Sequence, residues 1–437
     1  MSPEIVSGLL LIGSMIIFFA IGIPVAFAIG LSALLYELVT PMGSLLIMPQ
    51  RMINGIDSFV LMSIPFFVLV GELMNTGGIT LRIFNFADDL IGHKKAGLAH
   101  VNVIASMIFS GMSGSAVGDA SGLGAVEMDA MVKKGYTRDF SAAVTAASST
   151  IGPIIPPSIP FVIYGSVTGV SIGKLLLAGA IPGVILGGCF MLYIAILSRY
   201  RSFPDPHSSR ISFKLLTKDL IDSAPALFTP ILLIGGIVFG LFTPTEASAI
   251  ACLYSIILGV FIYRELKWKE VFQAFSRAAL ISAQILFIIS TASYLGVVLA
   301  RAQVPQFIFS SFVSIYSGTN IYVVLIILNI LLIIIGTVMD TNPILIIICP
   351  ILAPVANQLG IDPIHFGVII VFNLMIALLT PPVGMVSYTI CRVAKCSLDT
   401  YTRELLPFLA VLVIALVIIT FFPIFSTFLP SLFFGTN

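Results

Sequence analysis

Along the chain, long apolar runs alternate with short polar connectors. Runs near or above the roughly 20 residues needed to cross hydrocarbon recur at 5–23, 57–75, 174–198, 221–242, 245–263, 278–300 and 405–429. They predict a series of spanning helices, because a backbone in lipid must satisfy its own hydrogen bonds. Two further stretches in each half carry a different signal. Between Lys95 and Lys133 the chain reads AGLAHVNVIASMIFSGMSGSAVGDASGLGAVEMDAMV, apolar at first and Gly- and Ser-rich in the middle, with basic residues at both ends. A segment with both feet on one side enters and returns, so a re-entrant helical hairpin is predicted over about 96–133. Next comes SAAVTAASSTIGPIIPPSIPFVIYGS, whose Pro153, Pro156, Pro157 and Pro160 delete backbone donors and collide with the preceding turn. It predicts a broken helix over about 139–168. The second half repeats the pair, with a hairpin over about 320–360 around GTVMDTNP and a broken helix over about 364–391 around LTPPVG.

The two pairs are related by a shift of 225 positions, which lays Gly71 on Gly296, Gly111 on Gly336, Gly135 on Gly360, and Pro156 and Pro157 on Pro381 and Pro382. These are the residues that mark where a backbone turns or breaks. A shift of 220 also lays Pro24 on Pro244. The chain is therefore read as repeats over 1–198 and 220–437, joined by a linker over 199–219.

Composition agrees. Of 437 residues, 58% are hydrophobic and 9% charged, with a mean hydropathy of +1.13, where a soluble domain is about 25% charged. No soluble domain fits between the runs, and the N-terminal run, lacking a basic start and a cleavage site, reads as a retained span. Charge then orients the repeats. The loops 77–97, 133–139, 199–219, 264–277 and 392–403 hold 18 of the 21 Lys and Arg, leaving Arg51, Lys174 and Arg301. With the rich loops cytoplasmic, both termini lie outside and equivalent loops of the two repeats fall on opposite faces. The predicted fold is an all-α polytopic membrane protein of two inverted-topology repeats, a geometry that lets one site be reached from either side in turn.

The five cysteines and four histidines are scattered, which leaves metal or His-based catalysis without a cluster. An intramembrane hydrolase needs a nucleophile with a base in reach, and no GxSxG or HExxH occurs. The breaks offer other chemistry. A helix interrupted at mid-depth leaves carbonyls unpaired at one half's C-terminal end and amides at the other's N-terminus; the first can ligate a cation, the second favours a carboxylate. Ser148, Ser149 and Thr150 stand beside the first break and Thr380 beside the second, with Ser113 and Thr337 at the hairpin tips. Either these hydroxyls ligate cations or they back-bond to their own helices. Asp340, between runs of Ile, is a functional candidate or an acid bonded to the amides of its own tip. The residue reading is two cation sites, one per repeat, with an anionic substrate between the tips.

In GMSGSAVGDASGLG, SSTIGPIIPPS, GLFTPTEASAIA and LTPPVGM the sequence resembles the large membrane subunit of TRAP transporters, the tripartite ATP-independent periplasmic family. The resemblance spans essentially the whole chain. It implies an elevator-type, sodium-driven importer of carboxylate-bearing solutes in a bacterial inner membrane, loaded by a periplasmic binding protein. It also implies a small four-helix membrane subunit, expected here as a separate chain, with no nucleic-acid partner. Two or more Na+ ions are the implied coupling ions. Carried over by motif, one cation site falls near Ser113, Gly152, Ile155 and Pro156, the other near Thr337, Thr380, Val383 and Gly384. Ser115, Asp340, Ser149 and Arg301 are assigned to the substrate, although a topogenic or lipid-facing role for Arg301 stands beside that assignment. Glu72 and Glu246 read as scaffold hydrogen-bonding groups or docking points for the small subunit. Alternatives are a stand-alone sodium-coupled carboxylate carrier and a passive channel.

Overall fold

Every regular element in the computed structural model, which describes residues 3–40, 45–204, 213–304, 306, 310, 321–337, 339–381 and 384–435, is a helix. The first half runs α1 (Pro3–Ala20), α2 (Val25–Val39), α3 (Ile47–Ile56), a 3-10 turn (Phe59–Met62) leading into α4 (Ser63–Thr76), and α5 (Ile79–Ile91). The hairpin follows as α6 (Gly97–Ser113), α7 (Ala116–Ser121) and α8 (Leu123–Lys133), then α9 (Arg138–Ser149), α10 (Ile159–Thr168) and α11 (Ile172–Tyr200). The second half runs α12 (Phe213–Val238), α13 (Pro244–Ile257) prolonged by a π turn, and α14 (Trp268–Arg301). It continues with α15 (Ile321–Gly336), α16 (Thr341–Gln358), α17 (Pro363–Leu379), α18 (Met385–Ala394), α19 (Leu398–Phe421) and α20 (Ile424–Phe434).

Seven of the described helices are long and apolar enough to cross a bilayer, Ile172–Tyr200 and Trp268–Arg301 being the longest. The two halves of the first broken helix are much shorter. At 1.5 Å per residue the 10-residue α10 reaches about 15 Å, half of a hydrocarbon core about 30 Å thick. Such a helix can reach only about mid-depth from either face.

Local sequence sets the helix starts. Thr243 and Glu246 form a reciprocal capping box, with the Thr243 amide donating to Glu246 Oε2 at 2.8 Å and the Glu246 amide to Thr243 Oγ1 at 3.3 Å. Pro244 occupies the first turn, where its missing N–H costs nothing. Asp362 caps α17 by accepting from the amides of Ile364 and His365 at 2.8 and 2.9 Å, again with a proline at the start. Glu246 is thus a scaffold hydrogen-bonding group.

Packing follows from which helices lack a polar face. Every residue of α9 from Phe140 to Ser149, and of α17 from His365 to Leu379, is buried; a helix without a solvated side belongs at the centre. α9 packs on α6, α8 and α19, while α17 packs on α15, α16, α11 and α19, so the two hairpin units share one core. Beside it, α14 runs along α2, α3 and α4, α13 lies on α4, and α12 on α5. Contacts of α4 with α6 and of α14 with α16 join this second group to the hairpin units. Exposed apolar side chains such as Leu192, Ile231 and Phe272 cover the outer faces, as lipid contact requires.

Candidate functional site

The first break begins where the approaching prolines end α9. The amides of Thr150, Ile151 and Gly152 bond three residues back, to Ala147, Ser148 and Ser149 at 3.0–3.2 Å, tightening the last turn. The amides of Ile154 and Ile155 both turn to the Ile151 carbonyl, each at 3.0 Å. The carbonyls of Thr150, Gly152, Ile154, Ile155 and Pro156 then accept no hydrogen bond among the described residues. Ser158 restarts the chain as α10, its hydroxyl accepting from the Phe161 amide at 3.3 Å and donating to the Pro153 carbonyl.

The tip of the first hairpin is pressed into this break. Gly114 has φ +62°, and a Cβ there would lie 2.7 Å from the Pro157 carbonyl oxygen, so the turn needs glycine for both conformation and space. Asp119 follows, 2% exposed. Its Oδ1 accepts from the Ser113 hydroxyl, while Oδ2 has no hydrogen-bond partner. A Cβ on Gly152 would lie 2.4 Å from that free oxygen. A carboxylate oxygen lacking a donor therefore sits beside a row of bare carbonyls. Burying such oxygens is costly unless something positive accompanies them. On α8, Glu127 is fully buried with neither carboxylate oxygen hydrogen-bonded, within electrostatic reach of Asp119. Behind the tip, Asn102 donates to Thr145 Oγ1 at 2.7 Å and accepts from Ser148 Oγ at 2.6 Å, and Ser106 donates to Ser148 at 3.0 Å. This buried network ties α6 to α9.

The second unit has a matching tie: Asn373 on α17 donates to Asn329 on α15 at 2.8 Å, and Asn329 donates to Thr420 at 3.1 Å. Asn373 lies 225 positions after Ser148. Asp340 occupies the cap position of α16, where the helix dipole favours an anion. Beyond α17, Ser387 donates to the Leu379 carbonyl and pairs with the Tyr401 hydroxyl, both at 2.9 Å. Gly384 begins α18 with φ +27°.

Four hydroxyls beside the breaks and tips back-bond to their own helices: Ser149 to Ala146, Thr150 to Ala147, Thr337 to Ile334 and Thr380 to Ile376, at 2.6–2.8 Å. Back-bonding uses the hydroxyl hydrogen and leaves both lone pairs. It is therefore compatible with holding a cation.

Both hairpin tips open onto one cavity of about 340 Å³, lined by Ser113 to Gly118, Pro153, and Asp340 to Asn342, together with Glu72, Asn75, Ile281 and Ile285. Among the described residues its charged lining is Glu72 and Asp340, with no Lys or Arg. Glu72 Oε2 is paired with Arg277 Nε at 2.6 Å. A larger cleft of about 860 Å³ lies further along the same helices, lined by Arg51, Asn54, Ser166, Ser293 and Asn357 among others. Three helices serve both spaces: α10 through Ile159 and then Tyr164 to Thr168, α14 through Ile285 and then Ile289 to Ala300, α16 through its first turn and then Ile346 to Asn357.

Of the residues named from sequence, Ser113, Ser115 and Asp340 meet at the cavity. Gly152, Ile155 and Pro156 lie in the first break, with the Ile155 side chain against Gly183, where a Cβ would come within 2.3 Å of it. Ser149 is buried in the core and off the cavity wall. Thr337, Thr380 and Gly384 flank the second tip and break, and Val383 lies outside the described residues. Arg301 ends α14, exposed and in neither lining. The sequence reading did not assign Asp119, Glu127, Asn75 or Arg51 to a site. Asp119 was signalled by an acid standing in a Gly-Ser tip.

Two hairpin tips meeting beside broken helices at one cavity, its wall mixing polar tip residues with apolar helix faces, are the architecture of a polytopic membrane transporter. The Alcanivorax borkumensis YdaH transporter, a crystal structure reported to have an unusual topology, shares the fold, with a TM-score of 0.62 over 88% of each chain at 13% identity. Residues 12–425 match the family described as tripartite ATP-independent periplasmic transporter, DctM component, and the chain belongs to it. The sialic acid TRAP transporter large permease protein SiaM of Vibrio cholerae is 42% identical, covering 95% of this chain and 96% of that one. SiaT of Haemophilus influenzae, a sialic acid TRAP transporter permease protein, is also 42% identical, over 94% of this chain and 66% of its own. The C4-dicarboxylate TRAP transporter large permease protein DctM of Vibrio cholerae is 35% identical over 98% and 97%. These relatives are transporter permeases rather than enzymes.

Proposed function

We propose that the chain is a permease subunit that imports a carboxylate-bearing organic anion, a C4-dicarboxylate, sialic acid or sugar acid, together with sodium ions across the bacterial inner membrane. The observation that carries this reading is the charge of the cavity, whose described lining has Glu72 and Asp340 and no base. Glu72 is ion-paired with Arg277, but Asp340 has no ion pair among the described residues. A carboxylate about 4 Å from the Asp340 carboxylate at an effective dielectric of 20 is repelled by about 4 kcal/mol. Cations entering with the anion reverse that sign, so coupling is built into recognition. Sodium suits a site made of carbonyl, hydroxyl and carboxylate oxygens. Ser113, Gly152, Ile155 and Pro156, joined by Asp119, hold one ion; Thr337, Thr380, Val383 and Gly384 hold the other. The anion lies between Ser115 and Asp340, with Ser149 behind the first break.

The names of the relatives support the substrate class, and the tripartite family description supports partners. In this reading a periplasmic binding protein delivers the substrate and a separate four-helix membrane subunit braces the α1–α5 and α12–α14 group. The stacking of cavity and cleft along α10, α14 and α16 favours an elevator movement of the hairpin units against α4 and α14. Asn75, which lines the cavity, precedes the basic loop 77–97, which supports a cavity open to the cytoplasm and termini in the periplasm.

Vesicles reconstituted with the chain, a four-helix subunit and a binding protein test the proposal with radiolabelled sialic acid, C4-dicarboxylates and sugar acids. Uptake of one class is expected only with an inward sodium gradient. Equal uptake without that gradient refutes coupling, and full uptake without binding protein replaces this reading with the stand-alone carrier.

A further inference from the structure

We propose that the larger cleft is a carboxylate-capture site built on Arg51, where the anion is first held before it reaches the cavity between the hairpin tips. The inference rests on the transport reading above and adds a residue and a step to it.

Among the described lining residues of the cleft, Arg51 is the one that carries a formal charge, and no Asp or Glu lines it. Its guanidinium makes no ion pair or hydrogen bond among the described residues; the five ion pairs seen there all involve other side chains. An unpaired arginine offers a planar fork of donors matched to a carboxylate. Asn54, Ser166 and Asn357 line the same space and add neutral donors. The volume of about 860 Å³ lies within the range of small-molecule sites.

The side chain is exposed, but its backbone is fixed. No residue of α3 is buried, yet the helix is held on α14 at two points. The Ser290 hydroxyl donates to the Met52 carbonyl at 2.9 Å. One turn on, Gly55 lies so close to Ser293 that a Cβ there would come within 2.0 Å of the hydroxyl oxygen. Arg51 is therefore presented at a set place on the cleft wall.

The two spaces have opposite electrostatic character. Among the described lining residues the cavity holds Asp340 with no ion pair and Glu72 paired with Arg277 from outside the lining, while the cleft holds Arg51 and no acid. A free organic anion collects at the cleft, and its passage onward depends on cations joining it. Positive charge at the mouth raises local anion concentration and speeds loading, and salt weakens the effect.

The test uses the full-length chain in detergent, without binding protein, labelled at arginine with phenylglyoxal in the presence or absence of sialic acid or a C4-dicarboxylate. Peptide masses report labelling of Arg51 against Arg403, whose side chain is 78% exposed. At low salt the transported acid is expected to slow labelling of Arg51 about threefold or more while Arg403 is unaffected, and its neutral methyl ester gives no protection. Equal labelling of Arg51 with and without either acid overturns the proposal, as does protection that appears only when a binding protein is added. In vesicles, Arg51→Gln is expected to raise the half-saturating substrate concentration about fivefold at low salt, Arg51→Lys to recover most of the loss, and high salt to shrink the difference. Identical half-saturation in Arg51→Gln and the parent chain at low salt also overturns it. Protection of Arg51 in a chain without sodium-driven uptake supports capture while refuting the transport reading.

Discussion

The free carboxylate oxygen of Asp119 faces Gly152, so closely that a Cβ on the glycine would lie 2.4 Å from it. Thirty-three residues separate the two in the chain, and their meeting joins the first hairpin tip to the first broken helix. A side chain at 152 has nowhere to go, since the Ser149 carbonyl is also within 3.1 Å. If this junction holds sodium, the ion stabilises the folded protein by mass action. Sodium is expected to raise the thermal midpoint of the parent chain, and Asp119→Asn to weaken the apparent affinity for it by about tenfold or more, the loss of one charge-assisted contact. Gly152→Ala is expected to abolish the sodium effect. Thermal midpoints measured across a sodium series, with potassium as control, decide this; an unchanged sodium response in Asp119→Asn removes the residue from the site.

Asp340→Asn and Thr380→Ala test the other unit. Asp340 lines the cavity and Thr380 caps the end of α17. Each variant is expected to lose sodium-dependent uptake in vesicles while remaining monodisperse by size-exclusion chromatography. Full uptake by both would remove the second ion and the substrate contact from these positions.

The Asn102–Ser148 pair makes a prediction about stability alone. Ser148→Ala removes the hydroxyl that bonds Asn102 Oδ1 at 2.6 Å and leaves a buried acceptor without a donor, at a cost of about 1–3 kcal/mol. The variant should unfold at a lower temperature, by several degrees in a fluorescence-detected melt. Ser149→Ala, whose hydroxyl bonds only its own helix at 2.8 Å, should lose much less.

A pH dependence comes from the loop region. Asp89, on the amphipathic α5, is held above the usual carboxylate range by burial, then by the charge and hydrogen bond of Asp219, and by Asp88. Protonation therefore favours the folded form: this contribution is fully present below the ordinary carboxylate pKa and is lost as pH rises through the raised value. Asp89→Asn is expected to raise the thermal midpoint at pH 7 by about 1–2 °C, with the gap closing as pH falls below 5. A gap that widens at acid pH would contradict the repulsion.

What could be read from sequence was mostly backbone. Pro153, Pro156 and Pro157 announce a break because proline acts on its own helix, wherever the partners are. The Thr-x-x-Glu spacing of Thr243 and Glu246 is likewise local, and the capping box it forms is the scaffold role read for Glu246. Side-chain pairing across helices was not legible in the same way. The 225-residue shift drew attention to Ser115 and Asp340, whereas Asp119 matters through Gly152, a neighbour that no periodicity brings forward. Arg51 and Arg301 are both basic residues outside the rich loops, and the sequence reading assigned Arg301, not Arg51, to the substrate. The course of α14 separates them, since its lining of the cleft stops at Ala300, while α3, packed against α14, brings Arg51 into the lining.

Because α14 contributes Ile285 to one space and Ile289 to the other, the septum between them is about one helical turn, roughly 6 Å. If the two spaces open to water on opposite faces, as the proposed function requires, the membrane potential does not decline evenly across the whole bilayer; it is concentrated over that thin partition. A charge displaced by a few ångströms then senses nearly the full voltage, worth about 2.3 kcal/mol per elementary charge at 100 mV. Under the proposed sodium coupling, a short stroke would be enough to make transport electrogenic.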